Sequence, residues 1–117
     1  MISNNTLIGN WKNSKVGTKG IERFTLSSIE DGLSLTIHGA AGGVLPTTLS
    51  DINVTMHTKS RDSIDCIAFH GNAQTESHTF SFAGNINKGL VIIATYIVDK
   101  EGVENNTFIR EFFYKLK

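Results

Sequence analysis

Apolar and polar residues alternate with a period of two along much of this chain. Leu33, Leu35 and Ile37 alternate with Ser34, Thr36 and His38. Phe80 and Phe82 alternate with Thr79 and Ser81, and Phe24 and Leu26 with Thr25 and Ser27. Successive side chains of an extended strand point to opposite faces, so this period marks strands with one face in a core and the other in water. No window of a dozen residues carries a helical stripe. The runs that read as strands are TLIGNWKN, IERFTLSS, GLSLTIHG, NVTMHTKS, DCIAFHGN, SHTFSFAG, LVIIATYIVD and TFIREFFYKLK, about eight in all.

Turn chemistry separates the runs: Asp31–Gly32, Gly71–Asn72, Gly84–Asn85, Lys88–Gly89 and the DKEG that begins at Asp99. Gly and Asn take positive φ at little cost, which tight hairpins require. Many short strands joined by short turns predict an all-β meander, closed into a barrel or folded into a sandwich. The reading adopted is an eight-stranded antiparallel up-and-down barrel. Its interior is either filled by side chains or holds one small ligand, and closure leaves no bare edge to aggregate. One longer connection, from Ala40 to Ile52, joins the third and fourth strands. At a barrel mouth it reads as a lid or as a simple crossover.

Two runs break the alternation. LVIIATYIV, from Leu90 to Val98, and FIREFFY, from Phe108 to Tyr114, are apolar on both faces. A free barrel strand should show one polar face. Two such strands predict a covered outer surface, and the simplest cover is a second copy of the chain in a two-fold dimer. The same feature leaves the last strand readable in two ways. With Ile109, Glu111 and Phe113 inward, Glu111 is a buried carboxylate that needs partners. Turned over, Phe108, Arg110, Phe112 and Tyr114 face inward and Glu111 is solvated.

Composition narrows the function classes. A chain of 117 residues is expected to form one domain over 1–117, with a core that needs no disulfide or metal to fold. Lys plus Arg and Asp plus Glu each number 11, and the basic residues are scattered, so neither nucleic acid nor an anionic membrane is an expected partner. No apolar run is long enough to span a bilayer as a helix. Cys66 is the single cysteine, so no internal disulfide can form, and the default for it is a small buried apolar residue. The opening MISNNTLIGN has no basic region followed by an apolar run. With the lone cysteine this favours a reducing, cytoplasmic location. His38, His57, His70 and His78 show no close ligand spacing, so no metal site is expected. No cofactor motif stands out: GAAGG from Gly39 lacks the lysine of a phosphate loop, and there is no G-x-S-x-G.

Trp11 is the only tryptophan, and its surroundings carry a resemblance. Gly9-Asn10-Trp11 at the start of the first strand resembles the Gly-x-Trp signature of the calycins, which include lipocalins, fatty-acid-binding proteins and avidins. Length and strand number are most similar to avidin and streptavidin, whose first strand reads Gly-x-Trp-x-Asn before a Gly-Ser turn. Here the order is Gly9-Asn10-Trp11-Lys12-Asn13, then Gly17-Thr18. The closing FFYKLK is similar to the family's last strand, and the middle strands match by pattern alone. The resemblance implies a barrel floor closed by Lys115 across Trp11, a cation–π contact of roughly 0.5–2 kcal/mol. It also implies a ligand site at Asn13, Thr18 and Glu111, which match an asparagine, a serine and an aspartate of the biotin site. The family's third-strand tyrosine and serine fall on Ile37 and Gly39, and its wall tryptophans on Phe69, Phe82 and Tyr96. That implies a wider or differently shaped cavity, or a filled one.

Three functions from different classes follow. The first is a non-catalytic barrel that binds a small apolar or amphipathic molecule, anchored by Asn13, Thr18, His78 and Glu111 and walled by Phe69, Phe80, Phe82 and Tyr96. The second is a packed scaffold whose outer face, on the last two strands, engages a partner. The third is a cyclase or isomerase in which Glu111 and His78 serve as acid and base.

Overall fold

The computed structural model describes residues 6–117; residues 1–5, the start of the stretch read as lacking a signal sequence, lie outside the described residues. Eight strands follow one another: β1 (Gly9–Asn13), β2 (Ile21–Ile29), β3 (Gly32–Gly39), β4 (Leu49–Thr58), β5 (Cys66–Gln74), β6 (His78–Asn87), β7 (Leu90–Asp99) and β8 (Thr107–Lys115). Each pairs antiparallel with its neighbour in sequence, and β1 pairs with β8 to close the barrel. The fold is therefore the all-β up-and-down barrel that the two-residue period predicts, with no helix among the described residues.

Two boundaries differ from the sequence reading. Leu49 pairs with Ile37, so β4 begins before Ile52 and the longer connection shrinks to residues 40–48. Gly71–Asn72 and Gly84–Asn85 are not turns; they lie inside β5 and β6. Both glycines make room inside the barrel rather than bend the chain. A Cβ at Gly84 would strike the Phe69 ring, and one at Gly71 would press on Ile52 and Val54. Lys88 and Gly89 do form a two-residue hairpin, with φ of 53° and 81°.

Large rings fill the interior. Trp11, Phe24, Phe69, Phe80, Phe82 and Phe113 are all fully buried. Phe24 meets Phe113 edge-on at 4.9 Å and lies parallel to Trp11 at 6.0 Å, with Phe69 at 6.3 Å. Each ring withdraws roughly 150–250 Å² from water, which makes these rings the main contributors to the core. The inward residues of β7 are Val91, Ile93, Thr95 and Ile97. On β8, Glu111 and Phe113 face the core, while Phe108, Arg110, Phe112 and Tyr114 face out.

At the floor, the Trp11 indole N–H donates to the Leu7 carbonyl at 2.9 Å. The Lys115 ammonium lies 5.6 Å from the centre of the Trp11 ring and donates to the Thr6 carbonyl at 3.2 Å. Gly9 sits at φ 143°, and the Lys115 stem passes 2.6 Å from where a Cβ would stand. The glycine of Gly-x-Trp is therefore required by backbone conformation, and a Cβ there would also displace the end of the flexible Lys115 side chain.

Candidate functional site

The mouth is the opposite end, where the β1–β2, β3–β4, β5–β6 and β7–β8 connections meet. Glu111 is its chemical centre. The side chain is 8% exposed and accepts three hydrogen bonds. Asn13 Nδ2 donates to Oε2 at 2.7 Å, Thr18 Oγ1 donates to the same oxygen at 2.6 Å, and the Ile21 N–H donates to Oε1 at 3.0 Å. A carboxylate withdrawn from water is costly unless such donors replace its hydration. Here β1, the β1–β2 loop and β2 each supply one.

The donors are themselves fixed. Asn13 Nδ2 also donates to the Ile21 carbonyl at 2.9 Å, and its Oδ1 accepts from the Lys15 N–H at 2.8 Å. The second of these is an Asx turn that lifts the chain off β1. Thr18 Oγ1 accepts from the Gly20 N–H at 3.0 Å. Gly20 is a glycine because a Cβ there would collide with the Glu111 carboxyl. Its carbonyl accepts from the Ala40 N–H at 2.9 Å, which binds the β3–β4 loop to the same corner. Asn13 and Thr18 line a cleft of about 370 Å³, together with Lys12, Lys15, Lys19 and Tyr114.

The sequence-predicted residues divide into four groups. Asn13, Thr18 and Glu111 are brought together. Phe69, Phe80 and Phe82 are inside the barrel, each 1% exposed, and pack against one another or against Phe24. Tyr96 is a correction: it is 52% exposed, on the outer wall, with its ring 5.1 Å from that of Phe108. β7 is apolar on both faces, so alternation could not orient it, and Thr95 occupies the inward position instead.

His78 stands at the rim. Its ring stacks on Phe80 at 6.0 Å, its Nδ1 is 2.7 Å from Ser77 Oγ, and its Nε2 is 3.8 Å from the Glu104 carboxylate. Glu111 and His78 thus have separate sets of partners, and no contact joins them as an acid–base couple. Glu104 belongs to the β7–β8 loop, which Asp99 organises. The Asp99 carboxylate accepts from the N–H groups of Glu104, Val103 and Glu101 at 2.7, 2.9 and 3.2 Å. The Glu104 N–H foremost, with those of Glu101 and Val103, holds the Asp99 carboxyl below its ordinary 3.8.

Sequence reasoning missed two features. Thr95 is fully buried, and its hydroxyl has no protein partner among the described residues. It faces inward between Phe82 and Ile109, one inward position nearer the mouth than Ile93, the cross-strand neighbour of Glu111. His57 Nε2 and His70 Nδ1 approach to 2.8 Å on the outer face. Spacing along the chain hides this pair because its members meet across β4 and β5. Among the described residues no third His, Cys, Asp or Glu gathers with them to hold a metal ion. Searches for similarity found no protein-family model, no curated protein and no solved structure that matches the chain.

Proposed function

We propose that the chain is a non-catalytic binding barrel that takes a small amphipathic molecule at its mouth. The observation that carries this reading is the position of Asn13 and Thr18. Both line the 370 Å³ cleft and both hold the buried Glu111 carboxylate. Small-molecule sites are typically concavities of roughly 300–1,000 Å³ with apolar walls and a few fixed polar groups. The ring-filled interior supports a ligand seated at the mouth, not one threaded down the barrel axis. Rings at Phe69, Phe80 and Phe82 then act as a rigid backing.

Native mass spectrometry of the purified protein, together with thermal shift against biotin and a series of fatty acids, tests the proposal. A bound small molecule, or a shift that Thr18→Val diminishes, is expected. An unliganded mass with no shift across the series would overturn it.

A further inference from the structure

The outer wall formed by β6, β7 and β8 departs from the rule that a barrel face in water is polar. Cross-strand pairing sets its residues in rows. Tyr96 and Phe108 form one row and Ile92 and Phe112 another, with Ala94 and Arg110 between them. Tyr96 is 52% exposed, Phe108 53% and Phe112 38%. On β6, Ser81, Ala83 and Asn85 continue the three rows. These rows contain no carboxylate and a single cation, Arg110. That is the composition of a protein interface core, rich in aromatics and arginine and poor in aspartate, glutamate and lysine.

We infer that this wall is where a second copy of the chain docks, in a two-fold dimer. Charge favours a copy over a different partner. The Arg110 guanidinium is already seated 4.9 Å above the centre of the Phe112 ring, so the wall can meet itself without stranding a carboxylate. A basic partner finds no carboxylate in these rows, and an acidic one finds a single guanidinium already seated on a ring. Shape favours the same occupant. Ala83 and Ala94 keep the middle row low, so two sheets can close to the roughly 10 Å spacing of packed sheets, with rings on either side of the trough.

Area points the same way. Three rings of roughly 200 Å² each, about half exposed, present about 300 Å² per copy. The rings of two copies therefore contribute about 600 Å², and Arg110, Ser81, Ala83 and Asn85, all exposed on the same wall, bring the total to the roughly 1,000 Å² that a specific contact needs. Closed two-fold assemblies are the commonest way for a chain to cover such a patch with itself. This inference stands apart from the proposed ligand site, which lies at the mouth.

Sedimentation velocity and light scattering on the full chain over a range of concentrations test it. The wild-type chain is expected to be dimeric, and Tyr96→Lys with Phe112→Lys is expected to raise the dissociation constant roughly thirtyfold or more. Val16→Lys and Val103→Lys, at residues 97% and 80% exposed outside these rows, should leave it unchanged. Trp11 fluorescence reports whether each variant is folded. If the double lysine variant does not fold, Arg110→Glu changes an exposed side chain on the same wall and should also weaken the dimer. A wild-type chain that is monomeric at every concentration overturns the inference, as does a dimer unaffected by these wall variants. A monomer that floats with phosphatidylcholine vesicles would also overturn it, by assigning the wall to a lipid surface.

Discussion

Asn13 and Glu111 are joined at 2.7 Å, tying the end of the first strand to the middle of the last across 98 positions of sequence. The bond links a fold element to the candidate site, so its loss should register in stability whether or not a ligand is present. Glu111→Gln places an amide N–H₂ against donors from Asn13, Thr18 and Ile21. It should cost about 1–3 kcal/mol in urea unfolding, the range for leaving buried groups unsatisfied. Asn13→Ala and Glu111→Ala combined should show a coupling of about 0.5–3 kcal/mol. Strict additivity would mean the two side chains do not support each other.

The floor offers a second test. Lys115→Met keeps the stem over Trp11 but removes the charge, so it should cost only about 0.5–1 kcal/mol, the exposed cation–π range. Gly9→Ala forces a side chain into the Lys115 stem at φ 143°. Strain of that kind costs about 1–3 kcal/mol, so Gly9→Ala should be the more damaging of the two. Equal losses would refute the assignment of Gly9 to a backbone conformation that only glycine adopts without strain.

Gly84 tests the packing of the interior. Its missing Cβ is the space that the Phe69 ring occupies. Gly84→Ala should overpack the core by about 1–3 kcal/mol, and adding Phe69→Leu should recover part of that loss. Thermal unfolding of the two single variants and the double variant reads this directly. If the second substitution only adds to the first, the two positions do not share space.

Asp99 gives the chain an acid-sensitive loop. Its carboxyl is held below its ordinary 3.8 chiefly by the Glu104 N–H, then by that of Glu101. A depressed folded-state value stabilises the fold fully above 3.8 and loses that stabilisation as pH falls through the lowered value. Asp99→Asn should therefore be less stable than wild type at neutral pH. The difference should narrow only once pH drops below 3.8. A gap that stays constant down to the acid limit would show that the carboxylate charge plays no part.

Cys66 should be slow to react. It is 3% exposed, and burial foremost raises its thiol above the ordinary 9.0. A chromogenic thiol reagent at neutral pH should modify it at the rate of unfolding and much faster in urea. Immediate modification of the folded chain would contradict its burial.

How much of this was legible in the sequence depends on whether a strand had a polar face. β3 and β6 declared their inward residues because Ser, Thr and His mark the other side. β7 did not, since Ile92, Ala94 and Tyr96 are as apolar as Val91, Ile93 and Ile97. Tyr96 was accordingly expected on the inner wall, and the pairing with Phe108 outside was invisible. Glu111 was open to both readings because a carboxylate is buried only when donors gather around it, and those donors come from three other segments of chain. Gly71 and Gly84 read as turns because positive φ is the commoner reason for a glycine. Their actual reason, room for a neighbour's side chain, appears only when strands are laid side by side. Asn13 and Thr18 are far from Glu111 in sequence, and the structure brings them within hydrogen-bonding distance of it.

The closure of β1 on β8 also has a kinetic side. Most of the barrel is made of neighbouring strands that need only a short turn to pair. The seam of Trp11 with Lys115 and Asn13 with Phe113 joins partners about as far apart as the chain allows. The entropy of closing so long a loop must be met before any of these contacts forms, so seam formation should be the slow step of refolding. Trp11 sits on that seam, so its fluorescence in a stopped-flow experiment should change in the last phase. Until that phase ends, β1 and β8 each present an unpaired edge, the form in which this chain is most open to mispairing with its own copies.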